Sequence, residues 1–176
     1  MAYSSIPPYF SWVVDRLLAI SSHPYHHTHL RYLSENGINT VVSINDEIEP
    51  PFHTSPNLRV INLSISAGVP TVSQCQHFVS LIENAKERKD GILVHSLKST
   101  GRAAVLLACY LVKAWECPVD YAIDRLRLIR PVSIENFDQE NVIKQYHASI
   151  QERFEGFIFS LFLVFKYSLI PFFFSL

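Results

Sequence analysis

An α/β domain is the fold class this sequence predicts, on three observations. Short apolar runs, such as GILVH at 91–95, alternate with amphipathic stretches of helical period. Clusters of Pro, Gly, Asn and Asp separate them. A small polar stretch, SLKSTGR at 96–102, joins the most apolar run to the most apolar helical segment. A buried strand, a short loop and a central helix in that order build a pocket for an oxyanion.

Each element follows from local signals. YFSWVVDRLLAIS (9–21) mixes aromatic and β-branched residues and predicts one or two strands. HPYHHTHLRYLSENGI begins after a proline and closes on Asn36-Gly37, a helix stop. NTVVSI (39–44) is a buried strand, NDEIEPPFHTSPN a loop, and LRVINLSIS (58–66) a further strand. A helix over 72–89 carries Phe78, Leu81, Ile82 and Ala85 on one face. GILVH is apolar throughout, as a strand covered on both faces must be. After Arg102 the next helix has no other charge until Lys113, so it packs on every side. Residues 118–131 are amphipathic and stop at Pro131. A last helix is expected over 133–154, with Ser133 in its capping region.

Composition narrows the function. The chain has 176 residues, 48% hydrophobic and 18% charged, enough for one domain with a real core. Lys+Arg number 15 against Asp+Glu 16, which argues against a nucleic-acid partner and makes any anion site local. The odd count of three cysteines, Cys75, Cys109 and Cys117, without C-x-x-C spacing, indicates reduced thiols and an intracellular, cytoplasmic setting. The first twelve residues lack a basic region and a long apolar core, so no secretory signal is expected.

The loop defines candidate site residues. Backbone N–H groups of Leu97, Lys98, Ser99, Thr100 and Gly101 can turn inward around a phosphate, with the helix N-terminus adding positive potential. Gly101 allows a tight, unusual backbone there. Arg102 offers a planar fork to two oxygens. Ser96, six positions earlier, lies at the base of the cradle, after His95.

His95-Ser96-x5-Arg102 resembles the loop of the protein tyrosine phosphatase superfamily, His-Cys-x5-Arg. FSWV (10–13), LACYLVK (107–113) and RPVSIENFDQE (130–140) extend the resemblance over about residues 7–150, to the small atypical dual-specificity phosphatases of the VHZ type. It implies a central mixed sheet flanked by helices, with the phosphate loop between a buried strand and the central helix. It implies a thiolate nucleophile, an arginine on the equatorial oxygens, and an aspartic acid on a separate loop as proton donor. Here Arg102 matches the arginine, His95 the residue before the nucleophile and Gly101 the preceding glycine. Ser96 takes the nucleophile position and Ser66 the acid position, while Ser99 replaces a common glycine and Ala103 a hydroxyl residue. A serine hydroxyl is too weak an acid for this field to ionise, and a serine in the acid position cannot protonate a leaving group at neutral pH. The expectation is a pseudophosphatase that binds phosphate or a phosphorylated protein side chain, or another phosphate ester, as a monomer without cofactor or metal. A residual slow phosphatase and a scaffold with a vestigial pocket are the competing readings.

Other signals are weaker. None of the three cysteines has an arginine six residues later, so none heads a phosphate loop. Asp46 or Glu47 could stand in for the acid, but loop acids are usually just solvated. His23, His26, His27 and His29 suggest a metal only superficially, and read as surface histidines at a helix entry. Arg125, Arg127 and Arg130 read as a solvated face rather than a basic rim.

The division expected is a phosphatase-like domain over 1–154 and a hydrophobic tail over 155–176. Residues 157–176 hold seven Phe and one charge, Lys166, in a length that suits a membrane span. Two readings stand side by side, a C-terminal membrane anchor and an artefact of the gene's end.

Overall fold

The computed structural model of the chain describes residues 3–44, 50–55, 57–65, 68–96 and 100–168. Its strands are β1 (Ser11–Val14), β2 (Leu18–Ser21), β3 (Ile38–Ile44), β4 (Arg59–Leu63) and β5 (Gly91–His95). Its helices are α1 (His27–Glu35), α2 (Val72–Glu87), α3 (Thr100–Trp115), α4 (Val119–Ile129) and α5 (Phe137–Ser168), with a 3-10 turn at Phe52–Thr54. The expected α/β class holds.

The sheet order is β1-β2-β5-β3-β4. β2, β5, β3 and β4 run parallel and β1 antiparallel, so the sheet is mixed. β5 is central and wholly buried, as its unbroken apolar run requires. One face carries α1 over Ala19, Val41 and Leu93. The other carries α2, α3, α4 and α5 over Leu18, Ile20, Val42, Ile92 and Val94. α3 is enclosed by its three helical neighbours and buries every residue from Ala103 to Val112. Because the four parallel strands point one way, the C-terminal ends of β2, β3, β4 and β5 line a single edge. Ligands of open α/β sheets bind at such an edge.

Local chemistry sets the helix ends. His26 caps α1 by accepting from the Thr28 N–H, 3.3 Å, and Gly37, at φ 76°, ends it as the Asn-Gly pair predicts. Thr71 and Gln74 form a reciprocal capping box on α2. α5 departs from expectation at its start. It begins at Phe137, and Asn136 accepts from the Gln139 N–H, 3.0 Å. Ser133 is buried instead. Capping at Asn136 leaves the apolar Ile134 inside the core. α5 then runs on through residue 168. Among the described residues no helix is long and apolar enough to cross a membrane.

Candidate functional site

β5 ends at His95 and α3 starts at Thr100, so the polar loop lies at the central strand of the parallel edge. Ser96 is 7% exposed, and its hydroxyl donates to the Ile44 carbonyl at the end of β3, 3.5 Å. His95 is fully buried, its ring packed edge-on against His23 with centroids 5.6 Å apart. Arg102, in the first turn of α3, donates through Nη1 to the Ile65 carbonyl, 3.1 Å. Ile65 is buried and follows β4, so this bond ties the loop after β4 to the start of α3. A second tie holds that loop, from Gln74 Nε2 to the Ser64 carbonyl, 3.0 Å.

The expected site residues divide. Ser96, Gly101 and Arg102 are brought to one edge, and Thr100 opens α3 beside them. Leu97, Lys98, Ser99 and Ser66 lie outside the described residues, as do Asp46 and Glu47. The first-turn amides of α3 have no partners within the helix and, with Arg102, suit an oxyanion. Ala103 is buried in the core and adds no hydroxyl.

Gly101 makes room for a neighbour and does not supply the unusual backbone expected of it. The positive-φ glycines are Gly37 and Gly68, and Gly101 is helical. What Gly101 lacks is a Cβ, which would collide with the carboxamide of Gln139, its Cδ at 3.1 Å. Swinging that carboxamide away would give up the bond in which Gln139 Oε1 accepts from the Glu135 N–H at 2.8 Å. Gln139 thus packs the start of α5 onto the start of α3. It was missed in the sequence because its signal, a Gln at the third helical position after Asn136, reads as ordinary capping.

The arginines of α4 are not simply solvated. Arg127 donates to the Ile134 carbonyl, 2.7 Å from Nη2, and pairs with Glu140, 2.9 Å. Arg130 donates to the Tyr9 carbonyl, 3.0 Å. Arg125 is exposed. His23 and His29 are buried rather than superficial, while His26 and His27 are exposed. Burial, then the nearby His26, lowers the His29 pKa below histidine's ordinary value. Among the described residues no group of three His, Cys, Asp or Glu could hold a metal ion. Cys75 and Cys109 are buried side chains of the core. Burial, and then contact with Cys75, pushes the Cys109 thiol pKa well up, the opposite of a reactive cysteine.

Comparison with known proteins agrees with this geometry. Residues 7–143 match the family described as the Swiss Army Knife protein, DSP-PTPase phosphatase domain. The chain belongs to this phosphatase family. It is 27% identical over 156 residues to the mouse dual specificity protein phosphatase CDC14A, covering 80% of this chain but 25% of that one. It is 23% identical over 158 residues to the rat phosphatidylglycerophosphatase and protein-tyrosine phosphatase 1, covering 84% and 82%. The chain therefore spans about a quarter of the first relative's length. The crystal structure of PTPMT1 superposes with a TM-score of 0.74 at 19% identity, over 84% of this chain and 99% of that one. A related structure shows PTPMT1 in complex with PI(5)P, with a TM-score of 0.70 at 21% identity over 82% and 98%. At such identity these structures speak to the fold.

Proposed function

We propose that this domain reads phosphate without cleaving it, as a pseudophosphatase that binds a phosphorylated protein side chain or a similar phosphate ester. The observation that carries the reading is Ser96, a buried serine at the head of a phosphate loop that keeps its arginine. A thiol starts near a pKa of about 8.5 and is pulled below neutrality by a helix N-terminus and an arginine. A serine hydroxyl stays protonated in the same field. A neutral hydroxyl does not repel a phosphate dianion, so capture survives while attack is lost. Ser66, in the position the family uses for its acid, removes the second catalytic group. Within the family we place the chain with the atypical VHZ-type enzymes, on the segments RPVSIENFDQE and LACYLVK. Leu97, Lys98, Ser99, Thr100 and Gly101 supply the amide cradle in this reading.

On binding, Arg102 exchanges the Ile65 carbonyl for two phosphate oxygens, a charge-assisted pair worth about twice a neutral hydrogen bond. The loop after β4 is thereby released from Arg102 when the anion arrives.

The domain over 1–154 acts as a cytoplasmic monomer, and the tail over 155–176 docks it onto an apolar surface, in our reading a membrane. The support is exposure. Phe154, Ile158 and Phe159 stand in solvent on α5, and the sequence beyond them is apolar. A phosphate reader predicts that tungstate and a phosphotyrosine peptide raise the melting temperature, and that Arg102→Ala removes the rise. Turnover of an aryl phosphate that Arg102→Ala abolishes would instead establish a residual enzyme. No stabilisation by any anion would leave a scaffold with a vestigial pocket.

A further inference from the structure

A second pocket lies at the pole opposite the phosphate loop. β2, β5 and β3 are parallel, so the residues just before Leu18, Ile38 and Gly91 meet at the edge where these strands begin. There Arg16, Gly37 and Lys89 surround a cavity of about 640 Å3, which Trp12 of β1 also lines. That volume falls in the range of small-molecule sites. The Gly37 carbonyl accepts from the Gly91 N–H at 2.9 Å, which ties the pocket to the central strand. α3 leaves the phosphate loop, runs back along the sheet and ends at this pole with α5 beside it. The apolar end of α5 therefore leaves the body here.

The lining carries both signs of charge. Arg16 and Lys89 are exposed and, among the described residues, make no ion pair. Neighbouring cations do. Arg88 pairs with Asp90 at 2.9 Å, and Arg31 with Glu35 at 2.8 Å. Asp15 and Glu35 supply the negative side of the pocket. Both unpaired cations sit on strained backbone. Arg16 has φ 54° and Lys89 φ 59°, the left-handed region that disfavours residues other than glycine. Gly37, at φ 76°, meets the same demand without strain. Strain of this kind collects at ligand clamps. Trp12 is half-buried and packs edge-on against Phe10, ring centroids 5.4 Å apart. An indole is the best aromatic partner for an ammonium cation.

We infer that this pocket is a second ligand site that takes a zwitterionic phosphobase, a phosphate diester joined through a short carbon chain to an ammonium group, as in a choline headgroup. Arg16 and Lys89 hold the phosphate as charge-assisted donors. Trp12, Asp15 and Glu35 hold the ammonium. A plain anion would bring its charge against two carboxylates, and a plain cation against two unpaired cations. A ligand carrying both charges satisfies both sides. The site is independent of the phosphate loop. Its place on the pole of the tail makes a membrane lipid the ready source, and that source alone rests on the membrane docking proposed above. A free phosphobase presents the same chemistry.

The test uses the full chain carrying Trp115→Phe, which leaves Trp12 as the remaining tryptophan. Glycerophosphocholine is titrated in and tryptophan fluorescence followed. The zwitterion should give a saturable change, with a dissociation constant about tenfold below those of glycerophosphoglycerol and of choline, each of which offers one charge. Arg16→Asn and Lys89→Asn should each weaken binding about tenfold, as loss of one charged hydrogen bond allows. Asparagine tolerates the left-handed backbone, and the two substitutions lie on separate turns, so a folding defect does not explain both. Arg102→Ala should leave this titration unchanged. A protein that binds no phosphopeptide yet responds here keeps the pocket and loses the phosphate reading. Three results would overturn the site: no saturable change, equal affinity for choline or glycerophosphoglycerol, or binding indifferent to both Asn substitutions. Phosphatidylcholine vesicles then name the source. Flotation that Lys89→Asn weakens several-fold makes the ligand lipid-borne, and flotation that does not respond makes it a free solute.

Discussion

Ser96 and Arg102 both hold backbone carbonyls rather than each other. The serine faces Ile44 and the arginine Ile65, so the site at rest is knitted to the end of β3 and to the residue that closes the described chain after β4. An incoming phosphate offers Arg102 a charged acceptor in place of a neutral one, and the exchange favours capture by a few kcal/mol at most, given about 1.5–3 kcal/mol for a hydrogen bond to a charged group. Gly101 carries the sharpest residue-scale prediction. Gly101→Ala should destabilise the fold by about 1–3 kcal/mol through overpacking against Gln139, measured by urea denaturation. Gln139→Ala added to it should recover much of that loss, so the double-mutant cycle is non-additive. Arg102, Ser96 and the glycine were legible in the sequence because loop chemistry is local. The reason for the glycine was not. It depends on Gln139, 38 residues away in sequence and brought near by packing alone.

At the scale of elements, the sequence reading placed β3, β4, β5 and the five α-helices and left β1 and β2 as one or two strands, because apolar runs and periodic faces are strong signals. Its errors lie at ends. α5 starts at Phe137 with Asn136 as its cap, not Ser133, and Ile134 is buried between the two. Asn136→Ala should cost about 1 kcal/mol, read as a lower melting temperature, while Ser133→Ala should not act through a cap. The α1 entry carries a pH dependence. The folded state holds His29 below its ordinary pKa, so the unfolded chain binds the extra proton first. That contribution is fully present above about 6.5, the unfolded value, and is lost as pH falls toward the folded value. Stability should therefore drop on going from pH 7.5 to 5.5, and His29→Gln should flatten that slope in urea melts. A slope unchanged by the substitution would place the effect elsewhere.

At the scale of the molecule, α3 and α5 run side by side in the same direction. Gly101 meets Gln139 at one end. At the other, Val112, Lys113 and Glu116 share a groove of about 490 Å3 with His147, Ile150 and Phe154. At 1.5 Å per residue, Phe157 lies about 27 Å along α5 from Gln139. The apolar extension thus leaves from the pole opposite the phosphate loop, and a tail docked on a membrane would leave the site facing water. Composition announced the apolar segment, but only the parallel packing of two helices shows where α5, described through residue 168, points. Removing residues 155–176 should leave the melting temperature within a few degrees, because residues 151–156 are exposed, and should abolish co-flotation with lipid vesicles. Flotation that survives the truncation would place the apolar contact on the body.

The most direct test of capture without cleavage is one titration of the full chain with a phosphotyrosine peptide, watched by proton–nitrogen and phosphorus NMR together. The account predicts saturable shifts of the Gly101 and Arg102 signals, absent in Arg102→Ala, with the phosphopeptide recovered intact. Steady accumulation of inorganic phosphate, abolished by Arg102→Ala, would contradict it.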